Sequence, residues 1–147
     1  MASATLTLTF DDGPDPTWTP RLLDALAAAG ARATFFPLSP RAKENPELIA
    51  RMLKEGHEVG LHGWGHLRHP DCTRAEIEAD TDRALLALAE VGARPRRWRL
   101  PWGEAAPFTA EVAADRALEI VGWTADTNDW RGDAPDEMLA RVERGLG

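Results

Sequence analysis

Residues 5–10 alternate threonine with leucine or phenylalanine, so Thr5, Thr7 and Thr9 share one face and Leu6, Leu8 and Phe10 the other. That period of two predicts a strand. Asp11-Asp12-Gly13-Pro14-Asp15-Pro16 breaks it, because glycine and two prolines do not extend a central strand. Leu22, Leu23, Leu26 and Ala29 then fall at helical spacing. They predict a helix from a Thr17 or Thr19 cap to Gly30, with Pro20 in its first turn. Residues 32–36 read as a second strand ended by Pro37, residues 46–54 as a helix capped by Asn45 and stopped by Gly56, and residues 58–61 as a third strand. The clearest helix covers 73–91. Thr73-x-x-Glu76 is a capping box, Ile77, Thr81, Ala84, Leu85 and Leu88 keep the helical period, and Gly92 ends it. A strand over 97–100, a helix over 107–117, a strand over 119–124 and a helix over 135–144 complete the pattern. Strands alternating with helices predict an α/β fold with a mainly parallel sheet of about five strands, in a single domain over 1–147.

Composition narrows the function classes. The chain has 147 residues and a formal net charge of −7. The acidic balance argues against a phosphate-binding nucleic-acid protein and against polybasic attachment to a membrane. No uncharged stretch approaches the ~18 apolar residues of a transmembrane helix. Residues 1–4 carry neither a basic nor an apolar leader region, so the expected location is cytoplasmic, or secreted with the signal removed. One cysteine, Cys72, forbids an internal disulfide. Tyrosine is absent against six tryptophans, so aromatic polar contacts go through indole N–H. A full (β/α)8 barrel takes about 250 residues, and this length holds roughly five βαβ units, so a barrel here is incomplete or distorted.

The unusual residues follow the predicted strands: Asp11-Asp12, His62-x-x-x-His66, Arg99-x-Pro101-x-Gly103 and Asp126-x-x-Asp129-Trp130. In parallel α/β folds, ligands bind at the carboxyl ends of strands, where these four clusters would converge. On an extended strand His62 and His66 would stand about 13 Å apart. In a turned segment, which Gly63 and Gly65 favour, they can share a metal. Adjacent Asp11 and Asp12 project in different directions, so one can ligate while the other stays free as a base. Two histidines and a carboxylate leave an open coordination position, and a metal there lowers the pKa of a water to near ~7. The plain alternatives are solvated histidines and a charged turn. His57 is expected at the surface, His69 outside the ligand set, and Asp15 as a solvated turn residue. Trp18, Trp98 and Trp123 are expected to pack.

At this point the residues resemble a known family. Thr9-Phe10-Asp11-Asp12-Gly13-Pro14, His62-Gly63-Trp64-Gly65-His66, Arg99-Leu100-Pro101-Trp102-Gly103 and Asp126-Thr127-Asn128-Asp129-Trp130 resemble, in order, four motifs of the polysaccharide deacetylases (NodB homology domain, carbohydrate esterase family 4). The resemblance implies a deacetylase-type (β/α) barrel and removal of N-acetyl or O-acetyl groups from carbohydrate. It implies Asp11 as general base and Asp12, His62 and His66 as ligands of zinc or another divalent metal. Arg99 would orient Asp11, and Asp129 would assist a late histidine. Trp102 and Trp130 would line the acetyl pocket, with Pro101 and Trp64 as further candidate substrate contacts.

Two positions depart from the family pattern. Gly63 stands where a serine or threonine usually follows the first histidine, and no histidine occurs beyond His69. The family's late histidine protonates the leaving amine, so the expectation is a domain lacking its C-terminal strands and weak on amides, with Asp11 as the remaining acid. Strand one would then offer an open edge for pairing with another chain. Two alternatives stay open: a noncatalytic carbohydrate- or metal-binding domain, and a metal-dependent amidase with a small noncarbohydrate substrate.

Overall fold

The computed structural model describes residues 5–146. The leader reading of residues 1–4 lies outside them. Strand β1 (Leu8–Asp11) pairs in parallel with β2 (Ala33–Phe36), setting Thr9 beside Thr34 and Asp11 beside Phe36. β2 pairs in parallel with β3 (Glu58–Val59). β4 (Arg97–Trp98) pairs in parallel with β5 (Glu119–Ile120), and one parallel bridge, Leu61 to Trp98, joins the two sheets. The five strands thus lie side by side in chain order. Helix α1 (Trp18–Ala28) connects β1 to β2, and α2 (Ser39–Glu44) with α3 (Pro46–Lys54) connects β2 to β3. α4 (Arg74–Glu90) and α5 (Thr109–Ala114) make the next two crossovers, and α6 (Pro135–Leu146) follows β5. The expected α/β architecture with five parallel strands is what the chain forms.

One core lies between sheet and helices. Leu23 and Leu26 of α1, Ile49 and Met52 of α3, and Ile77 and Leu88 of α4 are all buried in it. Trp98 is buried there too, as the packing reading expects. The capping box of α4 forms: Thr73 accepts from the Glu76 amide, and Glu76 accepts from the Thr73 amide. Gly60 shows how tightly β3 meets β2. A Cβ there would stand 2.4 Å from the Phe36 ring and 3.1 Å from the Arg97 carbonyl. Gly60→Ala is therefore expected to cost about 1–3 kcal/mol through overpacking, read as a lowered denaturant midpoint at unchanged slope.

Several expectations need correction. β1 begins at Leu8 rather than Thr5, and Leu6 and Leu8 are exposed. Among the described residues β1 has a strand neighbour on one side only. Helix α2 went unread because its buried residues are the small Ser39 and Ala42, which give no apolar stripe. Thr17 stands at the N-cap of α1, one of the two expected positions, but its side chain makes no cap hydrogen bond. Asp15 Oδ1 accepts from the Thr17 and Trp18 amides (both 2.8 Å), while Thr19 Oγ1 accepts from the Asp15 amide. His57 is buried, because its Nδ1 is the acceptor for the Ala33 amide at 3.2 Å. Trp18 is 64% exposed and Trp123 47%, so neither is a core residue, although Trp123 does lie against Gly103. No helix among the described residues is long and apolar enough to cross a membrane.

Candidate metal centre and active site

The end of β1 sends two adjacent carboxylates in different directions. Asp11, the last residue of β1, shares a face with Thr9. Asp12 has φ +69°, a left-handed conformation that turns its side chain toward the loop after β3. Its amide donates to the Phe36 carbonyl, and its own carbonyl accepts from the Arg41 guanidinium at 3.1 Å.

That loop carries the two histidines. The ring of His62 is buried, and its Nδ1 lies 2.8 Å from the Arg99 carbonyl oxygen. A carbonyl only accepts, so Nδ1 carries the proton, and in the neutral ring Nε2 keeps its lone pair. Nε2 of His62 is 3.2 Å from Asp12 Oδ1, and Nε2 of His66 is 3.4 Å from the same oxygen. Lone pairs converging on a carboxylate oxygen repel unless a proton or a cation lies between them. Where a proton fills the gap, hydrogen bonding to His62 holds the Asp12 carboxyl below its ordinary value. The nearby charges of His62, His66 and Arg41 act in the same direction, against the upward push of burial. Burial pushes the His66 imidazole pKa down, which favours the neutral ring that a metal needs. The three donor atoms lie within 4.8 Å of one another. Two imidazoles and one carboxylate suit zinc and neighbouring divalent ions, so these residues fit a metal.

Asp11 is held apart from this cluster by Arg99. The guanidinium, 4% exposed, donates from one nitrogen to Asp11 Oδ1 (2.9 Å) and Thr9 Oγ1 (2.6 Å). The other terminal nitrogen reaches the Gly122 carbonyl at 2.7 Å. One side chain from the end of β4 thus spans β1 and the segment after β5. Among the described residues Asp11 Oδ2 has no hydrogen-bond partner, which leaves it open toward the cleft.

The remaining candidates surround this centre unequally. Pro101 is buried and opens a short 3-10 turn. Trp102, at φ +63°, is 64% exposed, with its ring 5.4 Å from that of His66. Trp130 is 74% exposed. Asp129 accepts from the Trp130 amide and lines, with Asp11 and Asp12, a cleft of about 470 Å³. Trp64 is half-buried against the core, and the Arg83 guanidinium lies 3.7 Å from its ring centroid, so one ring face is already covered. His69 is turned away from the cluster: its Nδ1 meets Thr109 Oγ1 and its ring lies against Trp98.

Three contributors escaped the sequence. Asp80 accepts from the Trp64 and Gly65 amides, Arg41 holds the Asp12 carbonyl, and Trp123 lies 5.5 Å from the Arg99 guanidinium and against Gly103. The one available signal was for Asp80: a carboxylate three residues after Ile77 and four before Ala84 sits beside the inward stripe of a capped helix.

A model of the polysaccharide deacetylase family matches residues 1–121. A chitooligosaccharide deacetylase of Sinorhizobium fredii is 38% identical over 141 residues, covering 92% of this chain and 64% of the relative. A peptidoglycan-N-acetylglucosamine deacetylase of Bacillus cereus is 35% identical over 142 residues, covering 95% of this chain and 51% of the relative. The chain therefore spans between half and two-thirds of the length of these curated relatives. Among solved structures, a family 4 carbohydrate esterase from Streptomyces lividans in complex with acetate superposes with TM-score 0.89 at 33% identity, over 95% of this chain and 72% of that one. On the matched residues and the shared barrel-type architecture, this chain belongs to the polysaccharide deacetylase family.

Proposed function

We propose that the protein hydrolyses the acetamide of N-acetylglucosamine units in a polysaccharide or oligosaccharide, with a divalent metal at Asp12, His62 and His66 and Asp11 as general base. The observation that carries this reading is the Asp11–Arg99 pair beside the Asp12–His62–His66 cluster at one end of the sheet. The two curated relatives reported above are named for chitooligosaccharide and for peptidoglycan N-acetylglucosamine, which favours an N-acetyl over an O-acetyl substrate.

A metal in this donor set would polarise the acetyl carbonyl and acidify a water. Arg99 fixes Asp11 through Oδ1, so Oδ2 is left to accept the proton as the water attacks the carbonyl carbon. When the C–N bond breaks, the proton held by Asp11 passes to the amine nitrogen, and the second proton of the water, carried off on acetic acid, is then taken up by the amine, giving acetate and an ammonium group. Asp129, on the cleft wall, offers a carboxylate to the new ammonium group. The exposed rings of Trp102 and Trp130 offer flat apolar surfaces to the sugar. His62 needs no rearrangement, because the Arg99 carbonyl already fixes its tautomer. One residue, Arg99, thus sets the base with its side chain and a ligand with its backbone.

A noncatalytic binding domain would need the metal cluster but not a carboxylate held beside it by a buried guanidinium. The zinc-supplemented chain, incubated with chitotetraose, is expected to give products lighter by whole acetyl units at constant sugar number, read by mass spectrometry. Unchanged tetramer from metal-loaded protein would overturn the reading.

A further inference from the structure

The two histidines of the centre are held very differently. His62 follows the Leu61–Trp98 bridge, and the Arg99 carbonyl fixes its ring. His66 lies at φ +51°, a left-handed conformation that is unfavourable for a non-glycine residue. Its ring meets only Asp12, His62 and Trp102 in named contacts among the described residues. The position of His66 therefore depends on residues 63–65, and those are tied down from outside the loop.

The Gly63 carbonyl accepts from the Ser39 amide at 3.1 Å. The next two amides both donate to one carboxylate: Trp64 N–H to Asp80 Oδ2 at 2.9 Å and Gly65 N–H to Asp80 Oδ1 at 2.7 Å. Hydrogen bonds to an ionised acceptor are roughly twice as strong as neutral ones. The two glycines make this approach possible. A Cβ at Gly63, where φ is +94°, would stand 3.0 Å from Asp80 Oδ2, and one at Gly65 would stand 3.1 Å from Oδ1. The His-Gly-Trp-Gly-His spacing thus fits a backbone wrapped on a carboxylate as well as a pair of metal ligands. Arg83, three residues further along α4, covers the Trp64 ring. α4 is a rigid mount, with its capping box at one end and Ile77, Ala84 and Leu88 buried in the core.

We infer that Asp80 is a positioning residue for the metal: by binding the Trp64 and Gly65 amides it holds His66 at the distance from Asp12 and His62 that a shared ion requires. The inference rests on the metal reading of the site. Asp80 donates nothing to the ion and acts through His66 alone.

Calorimetric titration with zinc tests it on the parent chain, Asp80→Asn, Asp80→Ala, His66→Ala and the Asp80→Asn/His66→Ala double variant. Asp80→Asn keeps the volume but presents an NH2 group to one of the two amides. It is expected to weaken zinc binding by about 10- to 100-fold, the usual cost of losing a partner that orients a ligand. In the His66→Ala background the same substitution is expected to cost nothing further, an outcome that general loosening of the fold would not produce. Asp80→Ala should weaken binding at least as much as Asp80→Asn. If it fails to fold, Asp80→Asn and the cycle still decide. Parent-like affinity in Asp80→Asn, or an equal loss with and without His66, overturns the inference while the metal site stands. A parent chain that takes up no zinc overturns the metal reading and this inference with it.

Discussion

Asp11→Asn is expected to lower deacetylation by about 10²–10⁴-fold while leaving metal affinity and thermal stability near those of the parent. The asparagine oxygen can still accept from Arg99, so the 2.9 Å contact and the local packing survive. What is lost is the carboxylate that, in the proposed mechanism, takes a proton from water and returns it to the amine. Asp11 supplies none of the three converging donor atoms, so zinc titration should be unaffected. Initial rates of amine release, measured at matched zinc occupancy, check this. A rate within about threefold of the parent would remove Asp11 from the chemistry. A lost rate accompanied by lost zinc would mean that the base and ligand roles are not separable as described.

Arg99→Ala should produce the largest combined effect. The guanidinium is buried and bonded to Thr9, Asp11 and Gly122, so it ties the end of β4 to β1 and to the segment after β5. Removing one partner of a buried pair costs about 3–5 kcal/mol. The Asp11 side chain is 32% exposed and can partly rehydrate, which places the expected loss near the lower end, about 3 kcal/mol. For a chain of this size that corresponds to roughly 10 °C in Tm. Turnover should fall as well, because Asp11 loses its orientation. Zinc affinity should hold better than turnover, because the contact to His62 comes from the Arg99 backbone carbonyl, which the substitution keeps. Arg99→Lys is not expected to rescue, since an ammonium cannot bond Thr9, Asp11 and Gly122 with the fixed fork of a guanidinium. Thermal melts and rates on the two variants separate these effects. Wild-type stability in Arg99→Ala would contradict the bridging role.

How much of this was readable in advance follows from how local each signal is. The convergence of Asp12, His62 and His66 was legible because each part sits past a strand, where chain order and the parallel topology determine the end of the sheet on which it lands. Helix α4 was legible because capping and periodicity are short-range and agree. Asp80 was not: its place beside the inward stripe of α4 was a local signal, but its partners lie 15 and 16 residues earlier, and nothing local says whose amides it receives. His57 was misplaced for the same reason: its burial answers a distant amide, that of Ala33. Strands β3, β4 and β5 shrink to two residues each, because the backbone leaves the ladder almost at once to form the loops of the site. Trp18 and Trp123 were read as packing residues by residue type, yet both rings lie substantially exposed.

If this site works as proposed, metal binding and deacetylation go together. The direct measurement is acetate released from chitotetraose by the chain stripped with a chelator, then titrated with zinc. The stripped protein is expected to release no acetate, and acetate formation is expected to rise in step with zinc bound to a plateau at one ion per chain. Acetate release that ignores the chelator, or a fully zinc-loaded chain that releases none, would contradict the proposal.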